Sequence, residues 1–482
     1  MKFIYYDLIF LIIVGILGSI FLYKRRKNLK REMGIFLLYR TQVGVKLIKK
    51  VSNRYKKVLG IFKYIIIIVG YILMAGIIYL FSQSVYGYLK YPLFTEIISA
   101  PPIFPVLPYF PTIFGVENLF PPFYFTYFLV AFIIVATFHE FAHGIYARLY
   151  KIKIKSTGVV FLGPLMAGAF VEQDDKQMEK ARKTDQMAIL GAGVFTNLVL
   201  AIISFLLWWL VFSVNFLPAG ALFNTYSSSL VNISSISLFG GVQVSSPANQ
   251  ELINLIDKGM PTDLVLSDKN INLTKLSADG ADYYFEPESL KNQLKQDTSQ
   301  ILVYGDMPAI NADFKGAIIE IDGNKIENYD NLVKIMPNYE PEEEVLIKTN
   351  YQGDILEYNI ALAEDPDRED RAIIGIGNDI FSAINTENNF AFFKEPFTNY
   401  ESKSDFLYFL YYLIFWVFLL NAAVALFNML PLLIFDGGRF FYLTIWGITK
   451  REKVARLAYK WVGILILAAL ILLMVVWVIR II

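Results

Sequence analysis

Two histidines and a glutamate at metal-binding spacing are the residues of this sequence most suited to chemistry. His139, Glu140 and His143 form the pattern His-Glu-x-x-His near the end of the apolar run 122–148. On a helix, positions i and i+4 lie one turn apart on one face, so both imidazoles can reach one zinc ion. The glutamate lies about 100° round the helix, close enough to accept a proton from a water molecule at that ion.

The alternative interpretation is that these histidines only pack inside an apolar helix. The chain has 2 His among 482 residues, and both fall in this motif. Ionisable groups among membrane helices are costly and by default mark a functional site. The pattern therefore favours a zinc site over a packing role.

A second polar cluster, in 421–439, ends another very apolar run. Asp436 is followed by two glycines, and one interpretation is a helix end closed by a turn. The other makes Asp436 the third zinc ligand, because two histidines and a carboxylate leave one position for water, as in a catalytic zinc site. Pro431 would break the helix, and Asn428 could donate a hydrogen bond to an oxyanion.

Composition places these motifs in a membrane protein. Hydrophobic residues make up 55% of the chain and aromatic residues 16%, and the mean hydropathy is +0.46. The apolar residues are bunched into long runs, which soluble proteins rarely show. The net charge of +1 gives no argument for a nucleic-acid partner, and with no Cys a metal must be bound by His, Asp, Glu or backbone groups.

Six apolar stretches are long enough to span a bilayer. They are 4–23, 61–81, 122–147, 188–213, 406–430 and 457–479. Basic residues crowd the connections 24–57, 148–155 and 450–456, which predicts that these lie in the cytoplasm. The N-terminus is then outside, and the His-Glu-x-x-His motif is in the cytoplasmic half of the bilayer. We expect the first stretch to be a retained helix, because no small-residue cleavage site is clear.

Two further segments differ from the helices. Residues 156–173 are too short to span a bilayer and read as two β-like runs around Gly-Pro. One interpretation is a re-entrant hairpin, which could clamp an extended peptide by strand addition. The other is a plain cytoplasmic loop. Residues 214–405 are polar and predict a folded domain on the outer side. Within it, 315–336 reads as strand, tight turn, short strand and helix, and 344–361 as a strand hairpin.

The two motifs together resemble the site-2 protease family of intramembrane zinc metalloproteases. The resemblance rests on HEFAHG at 139–144 and NMLPLLIFDGG at 428–438, and it extends to GAFVEQD at 168–174 and GAGVFTN at 191–197. The passage 315–361 resembles a PDZ domain, although the insert exceeds one such domain in length. The resemblance implies His139, His143 and Asp436 as zinc ligands, Glu140 as the general base, and Asn428 as a catalytic residue that positions substrate or stabilises the oxyanion.

The expected architecture is a polytopic α-helical membrane protein of about six transmembrane helices. An extracytoplasmic α+β PDZ-like domain is inserted between helices four and five. The predicted divisions are 1–213 with helices one to four, 214–405 with the soluble domain, and 406–482 with helices five and six.

The expected function is Zn²⁺-dependent hydrolysis of peptide bonds within the transmembrane segments of membrane-anchored proteins, in regulated intramembrane proteolysis. The expected partners are single-span membrane proteins, trimmed beforehand by another protease, and the lipid bilayer. The alternatives are a transporter or ion-binding protein with a His/Asp metal site, and an inactive scaffold. The sequence shows no internal repeat of its helices, and a transporter needs no glutamate between its histidines.

Overall fold

The computed structural model describes residues 3–32, 36–90, 101–102, 105–117, 119–268, 270–296, 298–366, 368–378 and 394–481. Its helices are α1 (Phe3–Arg25), α2 (Val43–Arg54), α3 (Lys56–Lys90), α4 (Phe110–Ile113), α5 (Phe125–Leu149), α6 (Asp175–Lys180), α7 (Lys183–Asn215), α8 (Asn249–Asp257), α9 (Pro287–Leu294), α10 (Pro308–Asn311), α11 (Tyr329–Ile335), α12 (Asp405–Phe427), α13 (Asp436–Thr449) and α14 (Glu452–Ile481).

The strands number from β1 to β21 in chain order. They are β1 (Leu29–Glu32), β2 (Phe36–Thr41), β3 (Ile154–Leu162), β4 (Met166–Gln173), β5 (Phe216–Ala221), β6 (Thr225–Tyr226), β7 (Ser228–Asn232), β8 (Ile236–Phe239), β9 (Val242–Gln243), β10 (Leu264–Leu266), β11 (Ile271–Ala278), β12 (Ala281–Phe285), β13 (Gln300–Gly305), β14 (Ala317–Ile321), β15 (Asn324–Lys325), β16 (Glu344–Tyr351), β17 (Asp354–Ala361), β18 (Ala363–Asp365), β19 (Arg368–Ile373), β20 (Ile376–Gly377) and β21 (Thr398–Ser402).

Within the described residues, six helices are long and apolar enough to cross a membrane, which fits a multi-pass membrane protein. They are α1, α3, α5, α7, α12 and α14. Each overlaps one of the six apolar stretches that the sequence predicts. The boundaries differ most for α3, which extends at both ends beyond the apolar stretch 61–81 into flanking polar residues. Polar residues can continue a helix beyond the hydrocarbon region, so hydropathy alone does not define its ends.

The chain forms two compact units. The first comprises Met1–Asn215 with Ser404–Ile482, and the second comprises Phe216–Lys403. The first unit contains all six apolar helices, and the second contains the polar segment that the sequence singles out. Each unit has its own buried apolar core.

Helix α7 is the centre of the first unit. It packs against α5, α12, α3 and α13. Small residues at its start allow this close packing: a Cβ at Gly191 would lie 2.8 Å from Cγ2 of Ile66 on α3. Small residues at helix contacts let membrane helices approach closely. The helix that carries the two histidines is thus held directly against α7.

The start of α5 is bound by a buried carboxylate from another helix. Asp7 of α1 is 1% exposed and accepts hydrogen bonds from the backbone N–H groups of Phe125 and Thr126, at 2.8 and 2.9 Å. The hydroxyl groups of Tyr109 and Thr126 also donate to it, both at 2.5 Å. The first N–H groups of a helix lack partners within the helix. Asp7 of α1 accepts two of them and so caps the start of α5 from a different helix.

An antiparallel sheet in the order β1-β2-β3-β4 lies beside α5. Residues 154–173 form its β3–β4 hairpin, in which Thr157 is opposite Val171. The strands β1 and β2 come from the basic connection after α1, for which the sequence analysis predicts no strands. In this connection β2 pairs with β3, with Leu37 opposite Phe161. Strand β4 is at the edge of the sheet.

The second unit contains two larger sheets, each with a core. One has the order β7-β13-β12-β11-β8-β9, with β10 paired to β11, and its core includes Phe239 and Phe285. The other has the order β17-β16-β14-β5-β21, with β15 paired to β14, and its core includes Ile318 and Ile347. The predicted strand, turn, short strand and helix of 315–336 are β14, β15 and α11. The predicted hairpin at 344–361 is β16 and β17.

The region around 428–449 differs from the prediction. The fifth apolar stretch is predicted to continue to 430, but α12 ends at Phe427. An irregular segment follows, and Asp436 is the first residue of a separate helix, α13. Pro431 lies within the irregular segment, where its missing N–H and fixed φ are tolerated.

The proline-rich stretch 91–122 lies partly outside the described residues, and its described part contains the short helix α4.

Candidate metal centre

Three side chains from two distant parts of the sequence converge within the first unit. Oδ2 of Asp436 lies 3.2 Å from Nε2 of His139 and 3.2 Å from Nε2 of His143. The two Nε2 atoms are 3.0 Å apart. Both histidines are buried, at 7% and 8% exposure. Two imidazole nitrogens and one carboxylate oxygen therefore form a compact cluster of potential metal ligands.

The ring of His143 is oriented for binding a cation. Its Nδ1 lies 2.7 Å from the backbone carbonyl oxygen of Ile189 on α7. A carbonyl oxygen only accepts, so Nδ1 carries the ring proton and donates it. The lone pair is then on Nε2, which faces His139 and Asp436. An outer hydrogen bond of this kind is the usual arrangement for a histidine that binds a metal.

The separations within the cluster suit a zinc ion. Zinc takes nitrogen and oxygen ligands at about 2.0–2.1 Å in tetrahedral geometry, so two ligands are separated by roughly 3.4 Å. The observed separations of 3.0 to 3.2 Å are within a few tenths of an ångström of that value. Two histidines and one carboxylate are also the donor set of catalytic zinc centres. The residues present therefore fit zinc.

A glycine keeps the space beside the two rings open. A Cβ at Gly193 of α7 would lie 2.5 Å from Nε2 of His143 and 2.7 Å from Cε1 of His139. These distances are shorter than any side-chain carbon tolerates, so only glycine fits at this position. The sequence singles out Gly193 as part of GAGVFTN, but it gives no reason for a glycine here, since the rings come from another helix.

Backbone contacts within 428–438 position Asp436. The N–H of Gly437 donates to the carbonyl oxygen of Asn428 at 2.7 Å. A Cβ at Gly437 would lie 2.3 Å from the backbone of Met429, and one at Gly438 would lie 2.1 Å from the carbonyl oxygen of Leu432. The two glycines after Asp436 thus let the start of α13 lie directly on the irregular segment.

Asn428 and Glu140 lie beside the cluster. Nδ2 of Asn428 is 3.4 Å from Nε2 of His139. Oε2 of Glu140 accepts a hydrogen bond from the backbone N–H of Val171 at 2.9 Å. Val171 is on β4, so the carboxylate of the motif is directly connected to the edge strand of the sheet. The structure thus places every predicted site residue in one region, while the catalytic roles of Glu140 and Asn428 stay predictions.

Two further groups of this site were not predicted from the sequence. The carbonyl group of Ile189 carries no sequence signal, because any residue supplies a carbonyl. Asn197, which is fully buried on α7, has Nδ2 3.2 Å from Nδ1 of His139. Its signal is an amide in a very apolar helix, which the sequence analysis includes only in the family resemblance.

Two imidazoles, a carboxylate and an adjacent glutamate define a metalloprotease type of centre, here among helices that are apolar enough to span a membrane. Comparison with known proteins agrees. The sequence model of peptidase family M50 matches residues 127–473. The chain belongs to this family, that of the site-2 proteases, and it is a metalloprotease at the level of the family.

One relative is an uncharacterized protein of Methanocaldococcus jannaschii, with 33% identity over 202 residues. The match covers 40% of this chain and 49% of the relative, so the chain spans about half of that protein's length. The relative adds no substrate or partner.

Proposed function

We propose that the protein is a zinc endopeptidase that hydrolyses peptide bonds within the transmembrane segments of membrane-anchored proteins. The observation that carries this proposal is the convergence of His139, His143 and Asp436 in a unit with six apolar helices. Bound zinc would polarise the scissile carbonyl and lower the pKa of a water molecule towards about 7. The chain's own contribution is to fix these ligands, exclude excess water and supply a base.

Glu140 is the proposed base. Its Oε1 and Oε2 atoms are acceptors when ionised, and one of them already accepts the N–H of Val171. That hydrogen bond holds the carboxylate next to the cluster and leaves the other oxygen for a proton. Glu140 accepts the proton from water and passes it to the leaving amine. Asn428, whose amide lies beside His139, donates to the oxygen on which charge develops.

Strand β4 is the proposed binding surface for substrate. Because the N–H of Val171 points to Glu140, the outer edge of β4 faces the site. A transmembrane helix must unwind before hydrolysis, since its carbonyls are bound within the helix. The unwound segment would add to the outer edge of β4, which pairs with no other described strand, and this would bring its backbone next to Glu140.

The test is cleavage by the purified full-length chain. Zinc-loaded protein is incubated with single-span membrane proteins, and the cleavage sites are mapped by mass spectrometry. Cleavage within the transmembrane segment is expected from the wild type. In Glu140→Gln the rate should fall by about 10²- to 10⁴-fold with zinc still bound, because the glutamate is not a ligand. A wild type that binds zinc and cleaves no such segment, or a Glu140→Gln variant with full activity, would overturn the proposal.

The proposed sidedness places the metal centre in the cytoplasmic half of the bilayer and the second unit outside. The support is the distribution of Lys and Arg along the sequence. The chain has no Cys, so single cysteines can be added without background labelling. In intact cells an impermeant thiol reagent should label a cysteine at Asn324 and spare cysteines at Lys27 and Lys180. The opposite pattern would invert the topology.

The second unit is proposed to be a PDZ-like size filter that admits single-span substrates only after another protease has trimmed their outer part. A PDZ groove binds peptide by adding it to a strand beside a helix. Here that strand, β5, is paired on both sides, with β14 and with β21. The residue before β21 also contacts α11, since the rings of Phe397 and Tyr329 are 5.6 Å apart. The chain's own strand thus lies where a peptide would bind, which favours filtering over capture.

A shortened protein tests the filter. Phe216 pairs with Ser402 and Ala221 with Thr398, so a short flexible linker can replace 225–395 without separating the ends of the β5–β21 ladder. The shortened enzyme should cleave untrimmed substrates that the full chain rejects. Slower cleavage of trimmed substrates would instead indicate capture, and an unchanged preference would exclude both roles.

A further inference from the structure

Asn197 is a fully buried amide in the middle of an apolar helix, with one atom unpaired. Nδ2 lies 3.2 Å from Nδ1 of His139. Its Oδ1 is buried and has no hydrogen-bond partner among the described residues. Burying an amide oxygen without a partner is costly, so such an atom asks for an explanation.

The chemistry of a histidine ligand supplies that explanation. If Nε2 of His139 gives its lone pair to a cation, the ring proton must be on Nδ1. Nδ1–H and the amide NH₂ group would then be two donors facing each other. Turning the amide of Asn197 by 180° places Oδ1 at Nδ1–H, and it needs almost the same volume because oxygen and nitrogen are nearly isosteric. The turn gives the ring proton an acceptor and the buried oxygen a donor.

We propose that Asn197 is the positioning residue of His139, with its Oδ1 accepting the Nδ1 proton in the metal-bound protein. This inference rests on the proposed zinc site. It assigns to Asn197 the part that the carbonyl oxygen of Ile189 has for His143, at 2.7 Å. The hydrogen bond fixes both the tautomer and the rotation of the ring, so that Nε2 points at the other two ligands.

One face of α7 thereby orients both rings. Ile189, Gly193 and Asn197 follow one another at intervals of four residues, a spacing that places them on one side of a helix. The first and the last hold the Nδ1 atoms of the two histidines, while the glycine between them leaves room for the rings. His139 and His143 are four residues apart on α5, and the residues that hold their Nδ1 atoms, Asn197 and Ile189, lie two turns apart on α7.

The test compares variants that keep or remove the acceptor. Asn197→Leu has nearly the same volume without an acceptor, Asn197→Ala removes the amide without adding bulk, and Asn197→Asp keeps an acceptor. The matched control is Asn421→Leu on α12: Asn421 is also fully buried, and its amide donates to the carbonyl oxygen of Val417. Zinc affinity is measured on the purified full-length proteins by competition with a chelator. The visible spectrum of the cobalt-loaded proteins reports the ligand geometry.

Zinc binding to Asn197→Leu and Asn197→Ala should weaken by about 10- to 100-fold, the usual effect of losing an outer hydrogen bond to a metal ligand. Asn197→Asp and Asn421→Leu should bind zinc within a few-fold of the wild type, and cobalt spectra should change only in the first two variants.

Wild-type affinity in both variants without an acceptor would overturn the inference. So would equal weakening in Asn421→Leu, which would indicate packing, or in Asn197→Asp. A wild type that binds no zinc would instead overturn the proposed function, so the two failures are distinguishable. If Asn197→Leu does not fold, the comparison of Asn197→Ala with Asn197→Asp decides.

Discussion

The two ends of helix α5 both bury ionisable groups, but they do so in different ways. At its start, the carboxylate of Asp7 accepts four hydrogen bonds, which is about the number that a carboxylate can accept. Towards its end, Nε2 of His139, Nε2 of His143 and Oδ2 of Asp436 face one another at 3.0 to 3.2 Å. The first group is saturated with donors, whereas the second brings two imidazole nitrogens and a carboxylate oxygen together around a common centre.

The difference separates a structural charge from a ligand site. A charge in an apolar environment is tolerated when hydrogen bonds or a counter-ion replace the lost water. Asp7 has that replacement within the protein and needs no ion. In the proposed metal-bound form both ring protons are on Nδ1, so the cluster near the end of α5 would have no such replacement within the protein, and a bound cation would supply it. Burial of an ionisable residue alone does not indicate function, but the direction of its lone pairs does.

The largest effect on zinc binding is expected from removing one of the proposed zinc ligands near the end of α5. His143→Ala or Asp436→Ala takes one of three donors from the ion, and the zinc content should fall from about one per chain to near zero, with loss of cleavage. Metal analysis of the purified proteins measures it. Asp7→Asn is the control and should keep about one zinc. Equal zinc loss from the Asp7 variant would abolish the distinction between the two ends.

A methyl group beside the rings should have the next largest effect. In Gly193→Ala the new Cβ would lie 2.5 Å from Nε2 of His143, so the ring must move away from the other ligands. Zinc affinity should fall at least as much as on loss of an outer hydrogen bond, about 10-fold or more. Gly463→Ala on α14 is the matched control, because nothing lies within 4 Å of its added Cβ. Similar zinc affinities in both variants would show that Gly193 is not needed to keep the space beside the two rings open.

At the start of α5, replacing Asp7 should lower the stability of the protein and leave zinc binding unchanged. The carboxamide in Asp7→Asn keeps one acceptor oxygen, so two of the four donors from Tyr109, Phe125 and Thr126 are left buried without partners. The free energy of unfolding should fall by about 1–3 kcal/mol, as measured by denaturation in detergent micelles. Zinc affinity of the folded protein should not change. A variant of wild-type stability with weakened zinc binding would show that Asp7 acts on the metal centre instead.

The sequence was sufficient to predict the candidate ligands of the site, but not the hydrogen bonds that hold those side chains and helix α5 in place. The i, i+4 spacing places His139 and His143 on one face, and an acid after an apolar run singles out Asp436 because such acids are rare in membranes. The hydropathy of the six runs likewise gives the six helices. The hydrogen bonds from α7 and the carboxylate of Asp7 come from residues distant in sequence, and no periodicity encodes such pairings. The strands β1 and β2 were missed because they lie in a basic loop and depend on pairing with β3.

The smallest effect is expected at the partly exposed ion pair of the β1–β4 sheet. Glu172 accepts hydrogen bonds from Ser156 at 2.6 Å and from Arg40 at 3.0 Å. These two interactions hold the pKa of the Glu172 carboxyl below its ordinary value of about 4.5. About a third of each side chain of the ion pair is exposed, so water screens the pair, and Glu172→Gln should cost no more than about 1 kcal/mol at neutral pH.

The sign of the pH dependence follows from the lowered pKa. A carboxyl with a lower pKa in the folded protein stabilises it above the unfolded pKa, and this contribution is lost as the pH falls through the folded pKa. The stability difference between wild type and Glu172→Gln should therefore be full at pH 7 and shrink below about pH 4.5. Unfolding in detergent across this range measures it, with Glu32→Gln, the other carboxylate on Arg40, as a comparison. A difference that grows on acidification would contradict the lowered pKa of Glu172, and one well above about 1 kcal/mol would place Glu172 with Asp7 among the structural charges.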